Sequence, residues 1–126
     1  MSWPMPHVEV VMNNLEGSEC FFSLDCFRFY WQLPCEEKSC EYFTIVTPNE
    51  LWNPNRVIMG ATDAVAFCKQ AIERVMAPRL DSGVQVWLVD ILGNSQGESK
   101  MLSMVTSVLS CCEQFGVKLH PGKCEF

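Results

Sequence analysis

The stretch VQVWLVDILG, residues 84–93, holds a single carboxylate, Asp90, among nine uncharged residues. Apolar residues alternate before it and run together after it, the pattern of two strands folded into a hairpin. That reading puts Asp90 at the hairpin tip, directly behind the β-branched Val89. One acid at a tip is ordinary. Two there, beside a third on a neighbouring strand, would be a metal site.

Working outward, SQGE at 95–98 matches a capping box, Ser95 with Glu98 three positions on. It is expected to launch a helix with Met101, Val105, Val108, Cys112 and Phe115 on one stripe, closed by Gly116. VKLH and KCEF read as short closing strands around Pro121-Gly122. Upstream, Ala64, Cys68, Ala71, Ile72, Val75 and Met76 share a helical face; Thr62 or Asp63 serves as cap and Pro78 as stop. Val8, Val11, Met12 and Leu15 mark a short amphipathic helix entered at Pro4 and Pro6 and left at Gly17. CFFSLDCFRFYWQLP, residues 20–34, reads as a buried strand running into a turn and a second extended piece, and YFTIV, 42–46, as another strand. The order predicts an α+β fold with an antiparallel sheet in one domain, residues 1–126.

The chain is 48% hydrophobic and 19% charged, enough to build a core. Its net charge of −6 argues against nucleic-acid binding, unless the basic surface of the working protein lies in other segments. Eight cysteines raise a disulfide or zinc reading. Cys20 and Cys26, Cys35 and Cys40, and adjacent Cys111 and Cys112 form no C-x-x-C pair, and MSWPMPHVEV has no secretory pattern. Reduced, mostly buried thiols in an intracellular protein are the expectation. No apolar run approaches the roughly 20 residues of a membrane span. His7 and His120 have no acid or cysteine at ligand spacing and read as surface or helix-end residues.

Two acids stand inside apolar strand patterns, Asp25 in FFSLDCF and Asp90 in WLVDIL. Either alone reads as a solvated strand end. A pair, one per strand, points to a shared carboxylate cluster, because an ionised carboxylate in apolar surroundings needs a partner or a metal. Phosphoryl transfer on Mg²⁺ is the chemistry that most needs such a cluster, with two ions about 3.5–4 Å apart activating the attacking hydroxyl and stabilising the leaving oxygen.

FFSLDCFRFYWQLP, RVIMGATDAVAFCKQ, VWLVDILG and GVKLHPGKCEF, in this order, resemble motifs A, B, C and D, running into E, of the reverse transcriptases of gypsy-like LTR retrotransposons. The resemblance runs from about Trp3 to Phe126. It implies a right-hand polymerase palm with part of the fingers, and RNA-directed DNA synthesis from dNTPs on an RNA/DNA template-primer with Mg²⁺. It also implies that the thumb, RNase H and integrase of a full element lie outside these residues. Carried over, Asp25 is the motif A metal ligand, Tyr30 the aromatic residue under the incoming sugar, and Gly60 the motif B glycine that lets backbone approach nucleotide and template. Gln32 is expected to be structural. Lys123 falls near the motif D lysine, a proton donor to pyrophosphate.

Motif C of that family reads aromatic-x-Asp-Asp. Here Trp87, Leu88 and Asp90 fit, and Val89 occupies the first aspartate, the family's direct metal ligand. The resemblance thus explains why Asp90 lacks a neighbour and implies an impaired or inactive polymerase. Phe29 replaces the small residue before the motif A aromatic and is expected to crowd that turn. Asp63 and Val65 stand where the family often has Asn and Pro, and residues 35–50 offer only Lys38 as a basic contact. The alternative is a non-enzymatic, retroelement-derived relic; an unrelated cysteine-rich binding module would need all these motifs to coincide by chance.

Overall fold

The computed structural model describes residues 7–80 and 83–126, so Pro4 and Pro6, the expected helix entrance, lie outside the described residues. The elements are α1 (Val8–Leu15), β1 (Cys20–Asp25), α2 (Phe29–Gln32), α3 (Glu37–Cys40), β2 (Ile45–Val46), β3 (Leu51–Trp52), α4 (Ala64–Met76), β4 (Val84–Trp87), β5 (Asp90–Ser95) and α5 (Glu98–Phe115). Short 3-10 turns occupy Glu41–Phe43 and Pro121–Lys123. The α+β expectation holds.

The hairpin predicted from residues 84–93 is present, and β5 lies in the middle of an antiparallel sheet of order β1-β5-β4. Its strands alternate strictly. Phe22, Leu24, Val84, Val86 and Ile91 are buried and turn one face of the sheet to Cys68, Ile72 and Met76 of α4 and Val108 and Cys112 of α5. Apolar burial at about 25 cal/mol per Å² makes this sheet–helix layer the main stabilising contact. Gly93 is dictated by packing: a Cβ there would stand 2.0 Å from the Phe22 ring, its register partner.

α4 matches its sequence pattern, with Asp63 at the N-cap position and Ala64, Cys68, Ile72 and Met76 buried. Lys69 on the same helix is also buried, and its ammonium is ion-paired with Glu73 one turn on. α5 closes at Gly116, whose φ of +70° permits the left-handed C-cap. The expected capping box does not form. Ser95 is still the last residue of β5, paired with Cys20, and its hydroxyl donates to Gly97 O at 2.9 Å; Gly97 is the N-cap. Ser95 thus stands two residues before the N-cap, and α5 has no side-chain cap. On the predicted stripe, Phe115 is exposed.

Three other expectations change. After β1 the chain does not continue as a second extended piece: Arg28 enters the left-handed region at φ +44° and the chain turns into α2. Phe29 does not crowd that turn; it is buried in the core, and the strained backbone falls on Arg28 instead. Of YFTIV only Ile45–Val46 is strand, since Glu41–Phe43 winds into a 3-10 turn.

The closing strands at the C-terminus reduce to bridges along β1. Ser23 and Glu125 exchange both backbone hydrogen bonds at 2.8 Å, His120 N donates to Asp25 O at 2.8 Å, and Phe27 N donates to Lys118 O at 2.8 Å. Pro121 interrupts regular pairing by starting the 3-10 turn. Gln32 completes this edge as a structural residue: its amide donates to Phe27 O and to Lys118 O (2.9 Å), and its Oε1 accepts from Lys118 N at 2.8 Å. The expected outcome of Gln32→Met is a loss of about 1–2 kcal/mol in urea unfolding, the cost of leaving these backbone groups without their partner.

Apolar side chains remain on the outside. The two-stranded β2–β3 hairpin shows Val46 at 77% and Leu51 at 70% exposure, and Tyr42 beside it reaches 86%. Such a hairpin has unpaired edges and no buried face, which favours association between chains. The chain is expected to self-associate in light scattering, and a Val46→Lys/Leu51→Lys double variant to shift it toward monomer without changing its far-UV circular dichroism.

Candidate active site

β1 and β5 run antiparallel in a register that sets Asp25 directly opposite Asp90, and the hairpin register sets Trp87 opposite Asp90 on the other side. Residues directly opposite share a face of the sheet, with Cβ atoms about 4.5–5.5 Å apart. The two acids that sequence reasoning paired from positions far apart are therefore cross-strand neighbours. Both are half-buried and lie on the sheet face opposite the helices. Asp90 is not at the tip itself: Leu88 and Val89 form the two-residue turn and Asp90 is the first residue of β5.

The turn is tight. Leu88 takes φ +53°, the sign required at the first central position of the primed hairpin turns, at a cost of about 1–3 kcal/mol for a residue with a Cβ. Val89 follows it and packs, partly buried, against the apolar core. Val89 adjoins Asp90 in the chain, so this end of the hairpin carries one carboxylate.

The electrostatics follow from that arrangement. Asp90 is held above the ordinary carboxylate value, by burial first and by the charge of Asp25 second. The thiol of Cys26, which follows Asp25 on the buried side of the strand, is pushed up to about 12, by burial first and then by Cys112 and the two aspartates. It remains a neutral thiol beneath the acids. Asp25 is fixed through its backbone by His120 N.

The other sequence-predicted residues are spread around this pair. Tyr30 lies in α2, half-buried against the core, and its hydroxyl pKa is raised by burial and then by Cys68 of α4. Gly60 precedes α4 with φ +98° and open space around its Cβ position, so conformation alone calls for glycine there. Lys123 is exposed in the 3-10 turn, its backbone N–H donating to His120 O at 3.0 Å. A cavity of about 470 Å³ lies elsewhere, between Pro34–Phe43 and Val57–Phe67, and neither aspartate lines it. Sequence reasoning missed Arg28, whose guanidinium sits 5.2 Å from the Phe27 ring and 5.5 Å from the Trp31 ring in the turn after Asp25. A lone arginine between aromatic residues carries no pattern that would have revealed it.

Two adjacent carboxylates repel one another, and a hard cation between them removes that penalty. The pair suits one Mg²⁺ completed by water or phosphate oxygens. Among the described residues no set of three or more His, Cys, Asp or Glu groups converges to hold an ion.

The family model for "Reverse transcriptase (RNA-dependent DNA polymerase)" matches residues 3–126. The chain belongs to the reverse transcriptase family. It is similar to the Retrovirus-related Pol polyprotein from transposon 412 of Drosophila melanogaster, 24% identical over 98% of this chain and 10% of that polyprotein. The Pol polyprotein from transposon gypsy of the same fly is 22% identical, over 98% of this chain and 12% of the polyprotein. The chain thus spans about a tenth of the length of these relatives. Among solved structures, a foamy viral protease-reverse transcriptase in complex with RNA/DNA hybrid superposes with a TM-score of 0.87 at 15% identity, over 100% of this chain and 17% of that one. A second, in complex with double-stranded DNA, gives 0.88 at 15% identity, over 100% of this chain and 22% of that one. The fold is that of a reverse transcriptase's polymerase domain, and the sequence is that of a retrotransposon reverse transcriptase domain, a family that is generally metal-dependent.

The raised pKa of Asp90 sets a pH dependence. In the window between its unfolded value, near 3.8, and its higher folded value, the folded chain holds more protons than the unfolded one, so stability falls as pH rises. Urea unfolding of the chain and of Asp90→Asn is expected to diverge above that window, with the asparagine variant the more stable, and to converge below it.

Proposed function

We propose that this chain is the palm, with part of the fingers, of a gypsy-like retrotransposon reverse transcriptase whose polymerase activity is impaired by a single lost ligand. The observation that carries the reading is the register that brings Asp25 and Asp90 together while Val89 fills the adjoining turn position. In this reading the ancestral reaction is RNA-directed DNA synthesis, a nucleotidyl transfer from dNTPs to a primer terminus on an RNA template.

Asp25 and Asp90 are the residues that would hold Mg²⁺ at the end of the sheet. When bound, the metal neutralises phosphate charge and lowers the pKa of the attacking hydroxyl. The protein's own contributions are placement and charge. Tyr30, pinned against α4, sits under the sugar and disfavours a ribose 2′-OH; Gly60 leaves room for nucleotide and template backbone; Lys123 delivers a proton to departing pyrophosphate. Template-primer grip comes from segments of the polyprotein outside these residues, which accounts for a net charge of −6 in a nucleic-acid enzyme. The site of action is intracellular, where RNA template and dNTPs are available.

Val89 weakens this machinery because catalysis of phosphoryl transfer rests on positioning and charge stabilisation. Removing one member of a cooperating set costs several powers of ten. Asp and Val codons differ by one base, so the substitution is an accessible route to an inactive, degenerate copy of a transposable element. If further positions have decayed as well, the chain is a non-enzymatic relic with the same fold.

The test is primer extension on an RNA template with Mg²⁺, with this chain and its Val89→Asp variant each grafted into a complete active enzyme of the family. The variant is expected to extend primer at least about a thousandfold faster, and Asp25→Asn in the variant to abolish the gain. Equal activity of the two grafts would overturn the assignment of Val89, and silence of both would favour the relic. Without metal, Val89→Asp is also expected to lower stability by about 1 kcal/mol through lost apolar packing and added repulsion, a deficit that Mg²⁺ narrows in thermal melts.

A further inference from the structure

Away from the aspartates, Cys35 and Cys40 occupy a particular pair of positions around α3. Glu36 is the N-cap, with extended backbone, so Cys35 is the residue before the cap and Cys40 the fourth residue of the helix. Side chains at these two positions meet across the first turn, the arrangement known in apolar form as the hydrophobic staple. Here both are thiols. The Sγ of Cys40 lies 3.7 Å from Cys35 O and 3.2 Å from Glu36 O, folded back over the cap toward Cys35.

The pair is accessible from one side. Cys35 is half-exposed and lines the 470 Å³ cavity together with Glu36, Ser39 and Tyr42, while Cys40 is buried behind it. The other buried thiols contrast with this. Cys26 and Cys68 are pushed up to about 12 and Cys112 to about 11, burial being the main cause in each, and none lines the cavity. The thiol of Cys40 is also raised, by burial first and by the Cys35 thiol next. Exposure sets the order: the half-exposed Cys35 meets the oxidant first, and the buried Cys40 resolves.

We propose that Cys35 and Cys40 are a closing dithiol pair, a modification site for low-molecular-weight disulfides of the glutathione class. The Cys35 thiolate attacks one sulfur of the oxidised disulfide, forming a mixed disulfide and releasing one thiol. The Cys40 thiolate then attacks the Cys35 sulfur, closing the Cys35–Cys40 disulfide and releasing the second thiol. Two protein thiols are oxidised and one small disulfide is reduced to two thiols, so the exchange balances without another oxidant. The closed form ties the start of α3 to the segment before it at the wall of the cavity.

The test is incubation of the folded chain with oxidised glutathione, alkylation of remaining thiols, and non-reducing peptide mapping by mass spectrometry. The expected result is one intramolecular disulfide within residues 35–40, with the other six cysteines alkylated. Cys40→Ser is expected to stop at one glutathione attached to Cys35, and Cys35→Ser to leave Cys40 unmodified. The same oxidation of the wild-type chain in urea controls for variants that fold poorly: loss of the 35–40 preference there is expected, because the pairing depends on the folded cap. Oxidation of a different pair in the folded chain, or alkylation of both Cys35 and Cys40 after exposure to oxidant, would overturn the proposal.

Discussion

Everything at the candidate site depends on the register between β1 and β5. That register is held by buried pairs on one face, Leu24 opposite Ile91 and Phe22 opposite Gly93, and it sets Asp25 opposite Asp90 on the other face. A slip of one residue would send the acids into the core and the apolar residues to water, so burial on the helix side fixes the site on the open side. The glycine facing Phe22 makes the fit specific, since any side chain there would collide with the ring.

The aspartates are consequently an expensive feature placed by an inexpensive one. Partial burial first, and the charge of Asp25 second, raise the pKa of Asp90, and the apolar layer beneath supplies the stability that tolerates it. The C-terminal segment adds to this frame. Its hydrogen bonds to Ser23, Asp25 and Phe27, with Gln32 bridging to Lys118, put β1 between two neighbours and fix the backbone that carries Asp25. The turn at Leu88–Val89 carries the strain at Leu88, and Val89 fills its second position with apolar packing.

The chain's outer surface differs from its core in the opposite sense. The β2–β3 hairpin and α1 leave Val46, Leu51, Trp52, Val8 and Met12 largely in water. The chain matches only about a tenth of the length of related polyproteins, and its superposition covers 17% and 22% of two foamy viral proteins. The dithiol at Cys35 and Cys40 lies beside this apolar region and not at the aspartates, so it is independent of whether the polymerase site works.

The sequence alone determined the elements whose period is strong: α4, the body of α5, β1 and the hairpin at 84–93, with Asp25 and Asp90 as the acids to be paired. Strict apolar alternation and the i, i+3, i+4 stripe express burial on one face, and burial is what the sequence encodes most directly. Local signals did worse where tertiary contacts overrule them. Ser95 does not cap α5, because β5 runs through it and the helix begins only after Gly97; Phe29 reads as a clash until the core receives it; YFTIV winds into a turn before its strand begins. Only the tertiary structure decided that the acids stand directly opposite one another, that the C-terminal segment pins Asp25, and that two cysteines five positions apart meet across a helix cap. The last of these depends on the chain turning helical at Glu37, and the first two on register and contacts between distant segments, which no single stretch of sequence contains.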